Sequence, residues 1–62
     1  MDYCTPTASL DAAYDDSQRI RGELEAGGVV VQGVAYGAGV LTFTTETEVS
    51  AELQATLALT VA

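Results

Sequence analysis

Residues 29–47 read VVVQGVAYGAGVLTFTTET, and this stretch decides the fold. Two runs rich in β-branched and aromatic residues flank Gly37-Ala38-Gly39, which is the pattern of an antiparallel β-hairpin. A three-residue loop that ends in glycine suits a type I turn closed by a left-handed residue. We therefore predict a register in which Tyr36 pairs with Val40 and Val31 faces Thr45. In this register Phe43 covers Gly33 across the hairpin.

Downstream of the loop, apolar and polar side chains alternate from Val40 to Ala62, with apolar residues mostly at odd positions. This period of two is typical of a strand. The sequence therefore predicts a mainly β fold, a small antiparallel hairpin or meander with a long C-terminal strand. A straight strand of this length would span about 70 Å at about 3.3 Å per residue, so it must bend, bulge or extend out of its own subunit.

A helix over the last fifteen residues is the rival interpretation of the C-terminal segment. It arises because some apolar residues also follow an i, i+4 stripe, which is a helical spacing. The residues on this stripe are Val49, Leu53, Leu57 and Val61.

Residues 9–26 fit one N-terminal helix, although short strands around a turn at residues 15–18 are the alternative. In the helical interpretation Ser9 caps the start and Gly27 ends the helix. Its apolar face comprises Leu10, Ala13, Tyr14, Ser17, Ile20 and Leu24. Gly22 argues against the helical interpretation, because a glycine inside a helix lowers its stability by about 1 kcal/mol relative to alanine.

The length of 62 residues allows one domain, predicted over residues 1–62, with residues 1–7 as a flexible N-terminal arm. A domain this short buries only about 60% of the surface that its unfolded chain exposes, so its core is marginal. Cys4 is the only cysteine and there is no histidine, so neither a disulfide within the chain nor a structural zinc site is expected. Oligomerisation is the remaining way to complete a core. The predicted assembly interface consists of Leu41, Phe43, Val49, Leu53, Leu57, Leu59 and Val61.

The charge of the chain restricts its partners. The chain has nine acidic residues but only two basic ones, Arg19 and Arg21, and no lysine, so its net charge is -7. Nucleic acid and anionic membrane surfaces are disfavoured, because both are bound through lysine and arginine. Protein is the expected partner, as a homo-oligomer or within a larger assembly. Abundant acidic residues without lysine also predict adaptation to high salt, where carboxylate repulsion is screened.

The chain has few side chains that could catalyse a reaction or bind a ligand. No histidine or lysine is present to serve as a general base or to activate Cys4. The acidic pairs Asp15-Asp16 and Glu46-Glu48 are expected to be solvated surface charge. No calcium-loop or phosphate-loop spacing is present. The sequence predicts a non-enzymatic protein with no catalytic, cofactor or metal site.

Targeting signals are not predicted either. The first residues have no basic cluster followed by an apolar run, so we expect no signal peptide, and the apolar C-terminal run is about half of the ~20 residues that a membrane helix needs. These features do not decide the location of the protein, and both a virion and the cytoplasm fit them. The segment Glu23-Leu24-Glu25-Ala26-Gly27-Gly28 resembles the end of a double-glycine leader, which implies export of the part from Val29 onward. Glu25 departs from the apolar residue that is usual at its place in such leaders.

Together these features predict a structural or assembly subunit, most of all a small component of a virion, of the capsid-decoration or tail type, or of another filament or shell. A long alternating strand with unpaired edges can recruit neighbouring chains. An exported peptide precursor with its leader end at Gly27-Gly28 is the first alternative. A small acidic ion-binding or regulatory module is the second.

Overall fold

Secondary-structure elements follow the order β-α-β-β-α-β along the chain. A computed structural model describes all residues from 1 to 62. The elements are β1 (Asp2–Pro6), α1 (Leu10–Ala26), β2 (Val31–Gly37), β3 (Val40–Thr45), α2 (Ala51–Leu57) and β4 (Thr60–Val61).

The four strands form one antiparallel sheet in the order β2-β3-β1-β4. Together with the element order, this is the topology of the ferredoxin-like, or split β-α-β, arrangement. Helix and strand contribute comparable shares of the chain, so the expectation of a mainly β protein holds only for its antiparallel sheet. Neither helix is long and apolar enough to cross a membrane.

The predicted hairpin is confirmed, but its register near the loop is different. The loop has two residues, because Gly37 pairs with Val40 and both Ala38 (φ 53°) and Gly39 (φ 75°) have positive φ. Two positive φ angles identify a type I′ turn, whose twist matches that of the strands it joins. Phe43 therefore lies opposite Val34 and not opposite Gly33.

A bulge then brings the hairpin back to the predicted pairing at its open end. The register shifts between Val31 and Gly33, so that Val31 faces Thr45 as expected. The extra residue in β2 absorbs the difference of one position between the predicted and observed loops.

Helix α1 is confirmed with its predicted boundaries. The Ser9 side chain accepts a hydrogen bond from the backbone N–H of Ala12 at 3.1 Å, and Gly27 caps the C-terminal end. Ala13, Ile20 and Leu24 are buried against the sheet. The predicted apolar face is only partly covered, however, because Leu10 and Tyr14 remain exposed.

The prediction of a long C-terminal strand is wrong, and the rival helical interpretation is correct for residues 51–57. Strand β3 ends at Thr45, and α2 begins after Ser50, whose side chain accepts a hydrogen bond from the N–H of Leu53. About two turns of helix shorten this segment enough to fit a molecule that measures 27 × 20 × 20 Å. Only Thr60–Val61 returns to the sheet, as β4.

The prediction of a flexible N-terminal arm is also wrong. Residues 2–6 form β1, which lies between β3 and β4 in the interior of the sheet. Tyr3 and Thr5 of this strand are buried, while Asp2 and Pro6 are exposed. Pairing with two neighbours, rather than any local sequence signal, keeps this segment extended.

The core lies between the sheet and the two helices. Ten apolar residues are buried there: Tyr3, Ala13, Ile20, Leu24, Val29, Leu41, Phe43, Val49, Leu57 and Leu59. The Tyr3 hydroxyl accepts a buried hydrogen bond from the backbone N–H of Val49 at 2.8 Å, which joins β1 to the loop before α2. The opposite face of the sheet carries no helix.

Candidate functional site: an open strand edge beside an apolar groove

The residues predicted as an assembly interface lie mostly inside this chain. Its own core contains Leu41, Phe43, Val49, Leu57 and Leu59, and Leu53 packs against that core. Most of these side chains are therefore covered by the chain itself, and their role as an assembly interface stays a prediction. Only Val61, on the short strand β4, is well exposed, at 58%.

The polar groups considered for chemistry are scattered. Cys4 is a half-buried free thiol on the uncovered face of the sheet, beside Thr42 and Thr60. Nowhere do three histidine, cysteine, aspartate or glutamate side chains gather closely enough to hold a metal ion. Glu46 and Glu48 are exposed in the loop after β3. These polar groups therefore lie apart from one another in the structure.

Strand β2 forms one free edge of the sheet. It pairs with β3 alone, and no other part of the chain covers its outer side. The opposite edge, β4, is only two residues long, whereas β2 has seven. A strand edge presents unpaired backbone N–H and C=O groups, which can bind another extended chain.

The turn determines which backbone groups of β2 are free. In a two-residue β-turn, the residues that flank the loop are hydrogen-bonded to each other, and in an antiparallel ladder such pairs alternate with non-hydrogen-bonded ones. Gly37 and Ala35 therefore direct their backbone groups to β3. Val34 and Tyr36 direct theirs outward, to solvent.

The same two residues contribute side chains to an apolar groove. Val34 faces Phe43, and Tyr36 faces Leu41, so both side chains lie on the helix-bearing side of the sheet. Being at its edge, each remains 40% exposed. The other wall of the groove is the first half of α1, where Leu10 is 68% exposed and Tyr14 is 66% exposed. The depression has a volume of about 410 Å³.

A polar depression of about 360 Å³ continues from the apolar groove along α1. Val34 belongs to both, and the polar part is lined mainly by the second half of α1. Arg21 lies here, with its Nε 3.5 Å from a carboxylate oxygen of Glu25. One of the two arginines of this acidic chain therefore borders the β2 edge.

Sequence reasoning found the parts of this surface but not the surface itself. The hairpin and the apolar face of α1 were both predicted, yet β2 becomes an edge only because β1 takes the place on the other side of β3. No local signal indicated the edge, because Val31–Gly37 has none of the charged residues that protect many exposed strand edges.

No family model, curated protein or solved structure matches the chain.

Proposed function

We propose that the protein is a non-enzymatic assembly subunit that binds other protein chains, including copies of itself, through strand β2 and the adjoining groove. One observation carries the proposal: the long free edge of the sheet coincides with the largest group of exposed apolar side chains. These are Leu10, Tyr14, Val34 and Tyr36. Backbone groups at such an edge provide affinity, and neighbouring apolar side chains provide specificity.

The chemistry of the surface favours protein over other partners. Tyrosine is enriched among the residues that dominate the energetics of protein interfaces, and two of the three tyrosines of this chain lie in the groove. Nucleic acid would meet a chain of net charge -7, with Arg21 as the cation nearest to the groove. Strand β2 itself has no charge, so the repulsion between acidic copies is weakest there.

The assembly that we propose is a virion, of the capsid-decoration or tail type, or another filament or shell, in a high-salt setting. A small acidic subunit with one adhesive edge suits such a role, because assembly buries the surface that a short chain leaves exposed.

The two alternatives have less support from the geometry. Cleavage after Gly28 would separate β1 and α1 from the hairpin, and thus remove an interior strand from the sheet. An ion-binding module would need clustered ligands, whereas the carboxylates of this chain are dispersed.

Sedimentation of matched valine variants tests the proposal. Val34→Lys places a charge at the β2 edge, and Val61→Lys makes the same change at the exposed valine of β4. We expect the wild-type protein to self-associate in dilute buffer and, more strongly, in molar KCl. Val34→Lys should shift it to the monomer, while Val61→Lys should leave the mass unchanged.

Two outcomes would contradict the proposal. One is a wild-type protein that sediments as a folded monomer at every concentration in both salts. The other is dissociation by Val61→Lys but not by Val34→Lys, which would assign assembly to the β4 edge.

A further inference from the structure

We infer that β2 pairs with β2 of a second copy, antiparallel about a two-fold axis at Ala35, to form one continuous eight-stranded sheet. This inference rests on the proposed assembly function and specifies its first contact. It concerns the symmetry, the register and the partner of the free edge.

The unequal edges of the sheet favour a two-fold contact. Pairing β2 with the β4 edge of the next copy could use only the two residues of β4. Pairing β2 with itself uses the longer edge of both copies and leaves no β2 edge unpaired. An interface of this kind uses the same patch on both subunits, so it closes as a dimer.

The bulge determines the centre of the pairing. The register shift between Val31 and Gly33 interrupts the regular part of β2, which therefore runs from Gly33 to Gly37. Ala35 is the middle residue of this part. A two-fold axis there pairs Val34 of each copy with Tyr36 of the other, and these are the residues whose backbone groups face outward.

Side chains also match in this register. Val34 and Tyr36 lie on the same face of the sheet, so each pair across the axis joins an aromatic to a β-branched side chain, a favourable combination. Ala35 meets its own copy on the uncovered face, where its small side chain permits close approach.

Side chains from the two halves of α1 extend the contact to the grooves. The apolar groove includes Asp11 and Tyr14 at the start of α1, and the polar depression includes Arg21 toward its end. Because the two copies are antiparallel, the end that carries Arg21 in one faces the end that carries Asp11 and Tyr14 in the other. Arg21 is already paired with Glu25 of its own helix, and its guanidinium can in addition pack on the aromatic ring of Tyr14 in the other copy.

Disulfide trapping tests the axis. In a Cys4→Ser background, Ala35→Cys would place two thiols across a non-hydrogen-bonded antiparallel pair, with Cα atoms about 4.5 Å apart, within the roughly 4.4–6.8 Å that a disulfide spans. Thr42→Cys is the matched control, because Thr42 is the partner of Ala35 on β3 and lies on the same face. Its two copies would be about 14 Å apart across the same axis.

After mild oxidation with diamide, we expect Ala35→Cys to become a covalent dimer on denaturing gels. Thr42→Cys and the wild-type protein, which keeps Cys4, should remain uncross-linked. Equal cross-linking of Ala35→Cys and Thr42→Cys would indicate packing through the uncovered sheet face and overturn the inference.

The inference and the proposed function can fail separately. If Val34→Lys disrupts self-association but Ala35→Cys does not cross-link, the edge still mediates assembly and the two-fold axis at Ala35 is wrong. If the wild-type protein does not self-associate and the Ala35→Cys variant does not cross-link, both the proposed function and the two-fold axis are wrong.

Discussion

Phe43 is the residue whose position most directly tests the strand assignment. Its side chain is fully buried, under the helices, while the next residue, Thr44, points to the opposite face. Phe43→Ala should lower the free energy of unfolding by about 3 kcal/mol, through lost burial and the cavity that remains. Urea unfolding followed by circular dichroism measures the change.

Thr44→Ala is the control for this prediction. The Thr44 hydroxyl donates a single exposed hydrogen bond to Asp2, at 3.0 Å, so its loss should cost less than about 1 kcal/mol. A larger loss for Thr44→Ala than for Phe43→Ala would mean that β3 has slipped by one residue, because a slip exchanges the two faces of a strand.

At the scale of elements, two turns depend on alanines in a conformation that favours glycine. Ala38 lies in the hairpin turn with φ 53°, and Ala58 caps α2 with φ 55°. A left-handed conformation costs a non-glycine residue roughly 1–2 kcal/mol. Ala38→Gly and Ala58→Gly should therefore each raise the free energy of unfolding by about 1 kcal/mol, which thermal melts can measure.

Ala55→Gly, a substitution inside α2, should have the opposite effect on stability. Ala55 is an exposed residue inside α2, where glycine should lower stability by about 1 kcal/mol. If all three glycine substitutions destabilise the protein, then Ala38 and Ala58 do not have positive φ in solution.

For the whole molecule, salt should change the stability mainly by screening the repulsion between acidic side chains. The net charge is -7, and the two ion pairs, Arg19 with Asp16 and Arg21 with Glu25, are both exposed within α1. Screening costs little at such pairs but relieves repulsion among the remaining carboxylates. The urea midpoint should therefore rise from dilute buffer to molar KCl.

A charge-reduced variant separates screening from general salt effects. Glu46→Gln with Glu48→Gln removes two exposed charges that have no ion-pair partner. Its midpoint should be higher in dilute buffer and should respond less to KCl. A wild-type midpoint that stays flat or falls with salt would refute the proposed adaptation to high salt.

The hairpin and α1 could be predicted because their signals are local. Alternation on both sides of a glycine-containing loop specifies β2 and β3, and the Ser9 cap with Gly27 bounds α1. The register near the loop could not be predicted from the same residues. Whether the loop has two residues or three depends on Ala38 adopting positive φ, a conformation that alanine disfavours.

By itself, the sequence determined the hairpin, the first helix and the excess of acidic residues. Only the tertiary structure decided the rest. Residues 49–61 fit both a period of two and an i, i+4 stripe, and packing over the sheet selected helix for α2. Residues 2–6 became β1 because β3 and β4 supply hydrogen-bond partners distant in sequence. The same pairing left β2 at the edge, so the position of the candidate site follows from strand order, which no local pattern encodes.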